Sequence, residues 1–96
     1  MARLWDGVRA LEGRTLQTVT GKGFDVVSVS DSHVRVTLHS SGRTLPIPRK
    51  AFDQAEALGL ATASVRPSEL REAQVSEGQP AYVAAIIRAV IGSTKT

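Results

Sequence analysis

Residues 33–39 read His-Val-Arg-Val-Thr-Leu-His, with Val34, Val36 and Leu38 on one face and His33, Arg35, Thr37 and His39 on the other. A period of two is the signature of a strand with one buried and one wet face, and no helical stripe can satisfy it. Comparable segments flank it. Thr15 to Thr20 is rich in β-branched residues, Gly21-Lys22-Gly23 turns the chain, and Phe24 to Ser30 is strand-like again, which is a hairpin pattern. Ser30-Asp31-Ser32 and Ser40-Ser41-Gly42 are turn formers, and Arg43 to Ile47 makes a fourth strand with Leu45 and Ile47 inward. Pro46 has no N–H to give, which puts that strand at an edge. Four consecutive strands joined by short turns predict an antiparallel meander or a small barrel-like sheet over about residues 15–47.

Helical spacing brackets the sheet. Leu4, Trp5, Val8 and Leu11 predict an amphipathic helix over residues 2–12, stopped at Gly13. After the sheet, Pro48 opens a helix with Phe52, Ala55 and Leu58 or Gly59 on its apolar side, and Gly59 ends it. Pro67 and Glu69 mark the start of a short third helix. Pro80 precedes a fourth over residues 81–91 that is apolar almost all round and stops at Gly92. The expected class is α+β: the four-stranded sheet, one N-terminal helix and three C-terminal helices in a single domain over residues 1–92, with 93–96 a flexible tail.

The 96 residues carry 12 Lys and Arg against 9 Asp and Glu, a net charge of +3. The excess is lopsided: residues 1–52 hold eight cations and four acids, the remainder four and five. Such a field favours nucleic acid or another acidic partner, although +3 on a small domain is also an ordinary solubility charge. With only Trp5, Phe24, Phe52 and Tyr82, the chain is poorly supplied for stacking single-stranded bases. The absence of cysteine excludes disulfides, thiolate zinc sites and cysteine catalysis. No apolar run is long enough to span a bilayer and Met1 to Asp6 lacks a signal-peptide core, so no membrane association and a cytoplasmic location are expected.

Catalytic arrangements are thin. His33 and His39 share the wet face of one strand, but six residues separate them by about 20 Å, too far for one metal ion. Asp31-Ser32-His33 holds the residue types of a triad, but neighbours in a turn rarely converge as a triad must. The carboxylate pairs Glu69 and Glu72, and Asp53 and Glu56, read as solvated helix faces. The expectation is a non-enzyme without cofactor or metal.

The sharpest candidate is the strand-to-helix junction, Arg43-Thr44-Leu45-Pro46-Ile47-Pro48-Arg49-Lys50. Pro48 suits the first helical position, which puts two cations in the first turn at the positive end of the helix dipole, beneath donors that Ile47 cannot cap. A phosphate would satisfy cations and donors together; alternatively, Asp53 or Glu56 one turn on offsets the cations. With Arg35, Arg14 and Lys22, Arg43, Arg49 and Lys50 form a stripe suited to backbone phosphates of DNA or RNA with little base reading. Residues 68–90 have a helix-turn-helix outline, but the second helix offers only Arg88 to a groove. That helix is either a central core element or a half-exposed surface covered by another chain, as in a homodimer or protein complex through Tyr82, Ile86 and Val90.

The run from Gly42-Arg43 to Ile47-Pro48-Arg49-Lys50, the Ala-rich helix behind it and Pro80-Ala81-Tyr82-Val83-Ala84-Ala85-Ile86-Ile87 together resemble a small bacterial module of uncharacterised function associated with restriction endonucleases and helicases. The resemblance covers residues 14–91 and carries over no catalytic residue. It implies an accessory role in DNA processing or defence, or a partner-binding piece. The reading is a nucleic-acid-associated module contacting phosphates; the alternative is a protein-interaction or homo-oligomerisation module using the apolar C-terminal helix.

Overall fold

The computed structural model describes residues 4–18, 21–60, 62, 65–73 and 80–93. The chain runs α1 (Leu4–Arg9), β1 (Thr15–Gln17), β2 (Gly23–Val29), β3 (His33–Leu38), β4 (Thr44–Pro48), α2 (Arg49–Ala57), α3 (Pro67–Glu72) and α4 (Pro80–Ser93). The four strands form one antiparallel sheet in the order β1-β2-β3-β4. The α+β meander is therefore present, as an open sheet: β1 and β4 lie at opposite edges, and no pairing among the described residues closes a barrel. β1 and α1 are shorter than their sequence patterns, at three and six residues. Residues 19–20 of the expected β1, 2–3 of α1 and 94–96 of the expected tail lie outside the described residues, whereas Ser93 is helical.

Alternation dictates the layers. Phe24, Val26, Val34, Val36 and Ile47 are fully buried on one sheet face, with Leu16, Leu38 and Leu45 half-buried beside them. Against this face pack Leu4, Trp5 and Val8 of α1, Ala51, Phe52 and Ala55 of α2, and Val83, Ile86, Ile87 and Val90 of α4. Burial of one such side chain is worth about 1.5–3 kcal/mol, and this common cluster is the main force holding helices to sheet. The ring of Trp5 meets that of Phe52 at 5.6 Å, and Phe24 meets Tyr82 edge-on at 5.2 Å. The Trp5 indole N–H donates to the Ser30 carbonyl at 3.2 Å, so its one polar atom is satisfied.

The opposite face is wet. It carries Thr15, Asp25, His33, Arg35, Thr37, Thr44, Pro46 and Pro48, matched across strands as Asp25 with Thr37, Arg35 with Pro46, and His33 with Pro48. A register shift between Val26 and Ser28 marks a bulge opposite Arg35, leaving Val27 half in solvent. α2 closes as its sequence predicts: Gly59 at φ +75°, with Leu60 N–H donating to Ala55 O and Gly59 N–H to Glu56 O, makes a Schellman end. Leu58, expected on its apolar side, is instead 58% exposed.

Candidate anion-contact surface

The junction forms as an extended strand running directly into a helix, but Pro48 is the N-cap rather than the first helical residue, with φ −69° and ψ 141°. Arg49 and Lys50 therefore open the first turn, and no side chain caps it. The backbone differs from the sequence expectation at one donor: Arg49 N–H is taken by Ser32 O at 2.8 Å, which continues the β3–β4 ladder by one bond.

The two cations behave differently. Arg49 is pinned within the fold. Its guanidinium lies 5.6 Å from the centroid of the Trp5 ring, Nε is 3.5 Å from the Asp53 carboxylate, and Nη1 donates to Asp31 O at 3.3 Å. These contacts correct the reading of Arg49 as a cation awaiting an anion: Asp53 offsets it and Trp5 holds it, so it acts as an anchor for the start of α2. Lys50 is exposed, beside a shallow groove of about 640 Å³ lined by Ser32, His33, Pro48, Arg49, Asp53 and Gln54 among others.

Of the remaining candidates, Arg35 stands in the middle of the wet sheet face and Arg43 leads into β4, its carbonyl accepting Leu38 N–H at 2.8 Å. Arg14 precedes β1 and Lys22 lies in the turn after it. The set is dispersed: Lys22 and Arg43 lie at one end of the sheet and Arg49 and Lys50 at the other, with Arg35 between and Arg14 on the β1 edge, opposite Val26 and level with Val36. From Arg43 to Lys50 is about 20 Å at the rise of a strand, and β1 lies about 14 Å across the sheet from β4.

The acids explain why these cations remain available. The Glu56 carboxylate accepts Leu4 N–H at 3.0 Å, Glu12 accepts Val29 N–H at 2.8 Å, and Glu69 accepts Arg66 N–H at 3.1 Å. Asp31 pairs with Arg9 and Asp53 with Arg49. Asp25 accepts from Thr15 Oγ1 at 2.6 Å and meets His39 Nε2 at 3.0 Å. Those bonds, Thr15 first and His39 second, hold its carboxyl below the usual 3.8. Six acids are thus committed to contacts inside the fold, whereas Arg14, Lys22, Arg35, Arg43 and Lys50 are exposed and make no ion pair with a described residue.

Sequence reasoning missed the Thr15, Asp25 and His39 cluster, because it depends on the β1–β2–β3 register. His39 Nδ1 lies so close to Gly23 that a Cβ there would come within 2.6 Å. In the other histidine turn Ser32 Oγ meets His33 Nδ1 at 2.9 Å, but Asp31 turns away to Arg9, so serine, histidine and acid do not line up in relay. Among the described residues no group of three or more His, Cys, Asp or Glu could hold a metal ion, and no helix is long and apolar enough to cross a membrane.

The residues read as an oligomer interface need correction. Ile86 is fully buried and Val90 nearly so, both in the chain's own core, and Tyr82 is half-buried against Phe24. An interface side chain must be exposed before its partner arrives, and Ile86 and Val90 are already covered, whereas Tyr82 keeps part of its surface. α4 is the central core helix of the two options its sequence left open. Comparison of the chain with family models, curated proteins and solved structures finds no match.

Proposed function

We propose that this domain is a non-enzymatic nucleic-acid-associated module that contacts phosphates through Arg35, Arg43 and Lys50, on the wet sheet face and the β4–α2 edge. What supports the reading is the contrast in charge commitment: six acids are drawn into the fold's own hydrogen bonds and ion pairs, while these three cations stay exposed and make no ion pair with a described residue. Arg14 and Lys22 belong to the opposite edge and Arg49 to the scaffold. Dispersed cations without stacking aromatics suit a sugar–phosphate backbone and give no base reading. An accessory role beside DNA-processing or defence enzymes accords with this chemistry. The rival, a homo-oligomerisation module working through α4, asks Ile86 and Val90 to face a second chain, and their burial withdraws its support.

Three phosphate contacts set a salt slope of about −2.7, so affinity for a random duplex should fall about 40-fold between 50 and 200 mM salt. Fluorescence anisotropy checks this. Reversal of Lys50 or Arg35 to Glu should weaken binding to every sequence alike and make the slope shallower by about one. Absence of binding at 20 mM salt, or binding untouched by the combined reversals in a folded protein, would sink the proposal.

A further inference from the structure

The two edges of the sheet are not equivalent. Hydrogen-bonded pairs between β3 and β4 fall at Leu38 with Arg43 and at Ser32 with Arg49, and the uniform register puts the intervening ones at Val36 with Leu45 and Val34 with Ile47. Thr44, Pro46 and Pro48 therefore aim their backbone nitrogens away from the sheet. Two of the three positions are proline, so the β4 edge forfeits no ladder bond and is stripped of most of its donors. The β1 edge is the reverse. Thr18 N–H donates to Lys22 O and Val26 N–H to Arg14 O, so Arg14, Leu16 and Thr18 point into the sheet while Thr15 and Gln17 direct N–H and C=O outward. No described residue takes up these four groups.

Beside that edge runs a groove of about 450 Å³ whose walls are Leu16, Gln17 and Thr18 on one side and Ala85, Arg88, Ala89 and Gly92 of α4 on the other. The small α4 residues leave room for one inward side chain of an added strand. The surroundings are cationic: Arg14 and Lys22 stand exposed at the two ends of β1, and Arg88 lies in the groove wall. A second copy paired on the same edge would bring these like charges together, whereas an acidic chain would be drawn to them.

We infer that the β1 edge and its groove bind an extended acidic peptide of a partner protein as a fifth strand, with main-chain bonds to Thr15 and Gln17 and one apolar side chain set between Leu16 and Ala89. This surface is separate from the phosphate-contact surface. Its test uses an eight-residue labelled peptide alternating Glu and Val, with a Lys-Val peptide as charge control. Gln17→Pro removes an outward donor without costing a ladder bond, and Ala89→Phe fills the groove should the first variant misfold. The Glu-Val peptide should shift the amide resonances of Thr15, Gln17 and Ala89 and slow hydrogen exchange at the first two. Binding should weaken at least tenfold in either variant and for the Lys-Val peptide, while duplex affinity stays within twofold in Gln17→Pro. The inference is overturned by no binding at 1 mM peptide, by equal affinity in a folded variant, or by shifts confined to β3, β4 and α2. Protection of Thr15 and Gln17 amides without peptide also overturns it, assigning the edge to a second copy if it grows with protein concentration and to the chain itself if it does not.

Discussion

Gly7 lies in α1 where that helix crosses α4, and a Cβ built on it would meet Val90 Cγ1 at 2.3 Å and Val90 Cβ at 3.3 Å. Ordinary contact begins near 3.4 Å, so Gly7→Ala demands about 1.1 Å of movement by subtraction. Neither side gives easily: Val90 is β-branched and held to one rotamer in its helix, and α1 is fixed by the Glu56 contact at its first residue and by the buried Trp5. Alanine gains about 1 kcal/mol of helix propensity over glycine, and overpacking of this size costs about 2–3 kcal/mol. The net expectation is a loss of about 1–2 kcal/mol, or about 4–16 °C in Tm for a chain of this length. Val90→Ala alone deletes two methyl equivalents and leaves a void, costing about 2–3 kcal/mol. In the double variant the new methyl enters that void, so the two effects should fall short of additivity by about 1–2 kcal/mol. Urea unfolding of the four proteins measures the cycle. A stabilised Gly7→Ala, or additivity within about 0.5 kcal/mol, would refute the close crossing and the seating of α4 as the core helix.

The adjacent cations at the start of α2 should separate in stability. Arg49→Ala forfeits the Trp5 face and its polar contacts at a cost of about 1–2 kcal/mol, whereas Lys50→Ala stays within about 0.5 kcal/mol; equal effects in thermal unfolding would contradict the anchoring role. Asp25 has its folded pKa lowered, so its contribution to stability is present in full above 3.8 and is lost as pH falls through the folded value. Carboxyl NMR titration should place its pKa below 3.8, and Thr15→Val should raise it; an unshifted or raised value would contradict the hydrogen bonds described.

What the sequence reveals here is local. Alternation at Val34, Val36 and Leu38, the turn residues, and Gly59 at the end of α2 are dictated within a few positions, so the meander and its helices are legible without a structure. Arg49 is different. Its partners Trp5 and Asp31 are 44 and 18 positions away, and only the folding of α1 and the β2–β3 turn against α2 decides that one of two neighbouring cations is anchored and the other exposed. The Asp25 and His39 contact needs strand register, which the bulge after Val26 offsets by one residue. α4 is ambiguous in the sequence because uniform apolarity states that a surface must be covered and is silent on what covers it; α3, α1 and the sheet do so.

The prolines of β4 set a limit on assembly. Sheets lengthen into filaments when each unit offers one edge and accepts another, and here Pro46 and Pro48 blunt one of the two. Growth begun at β1 would therefore stop there: even a second copy paired on that edge would present only its own proline-blunted β4 at the far side, and a third would find no open ladder from which to build a fibre.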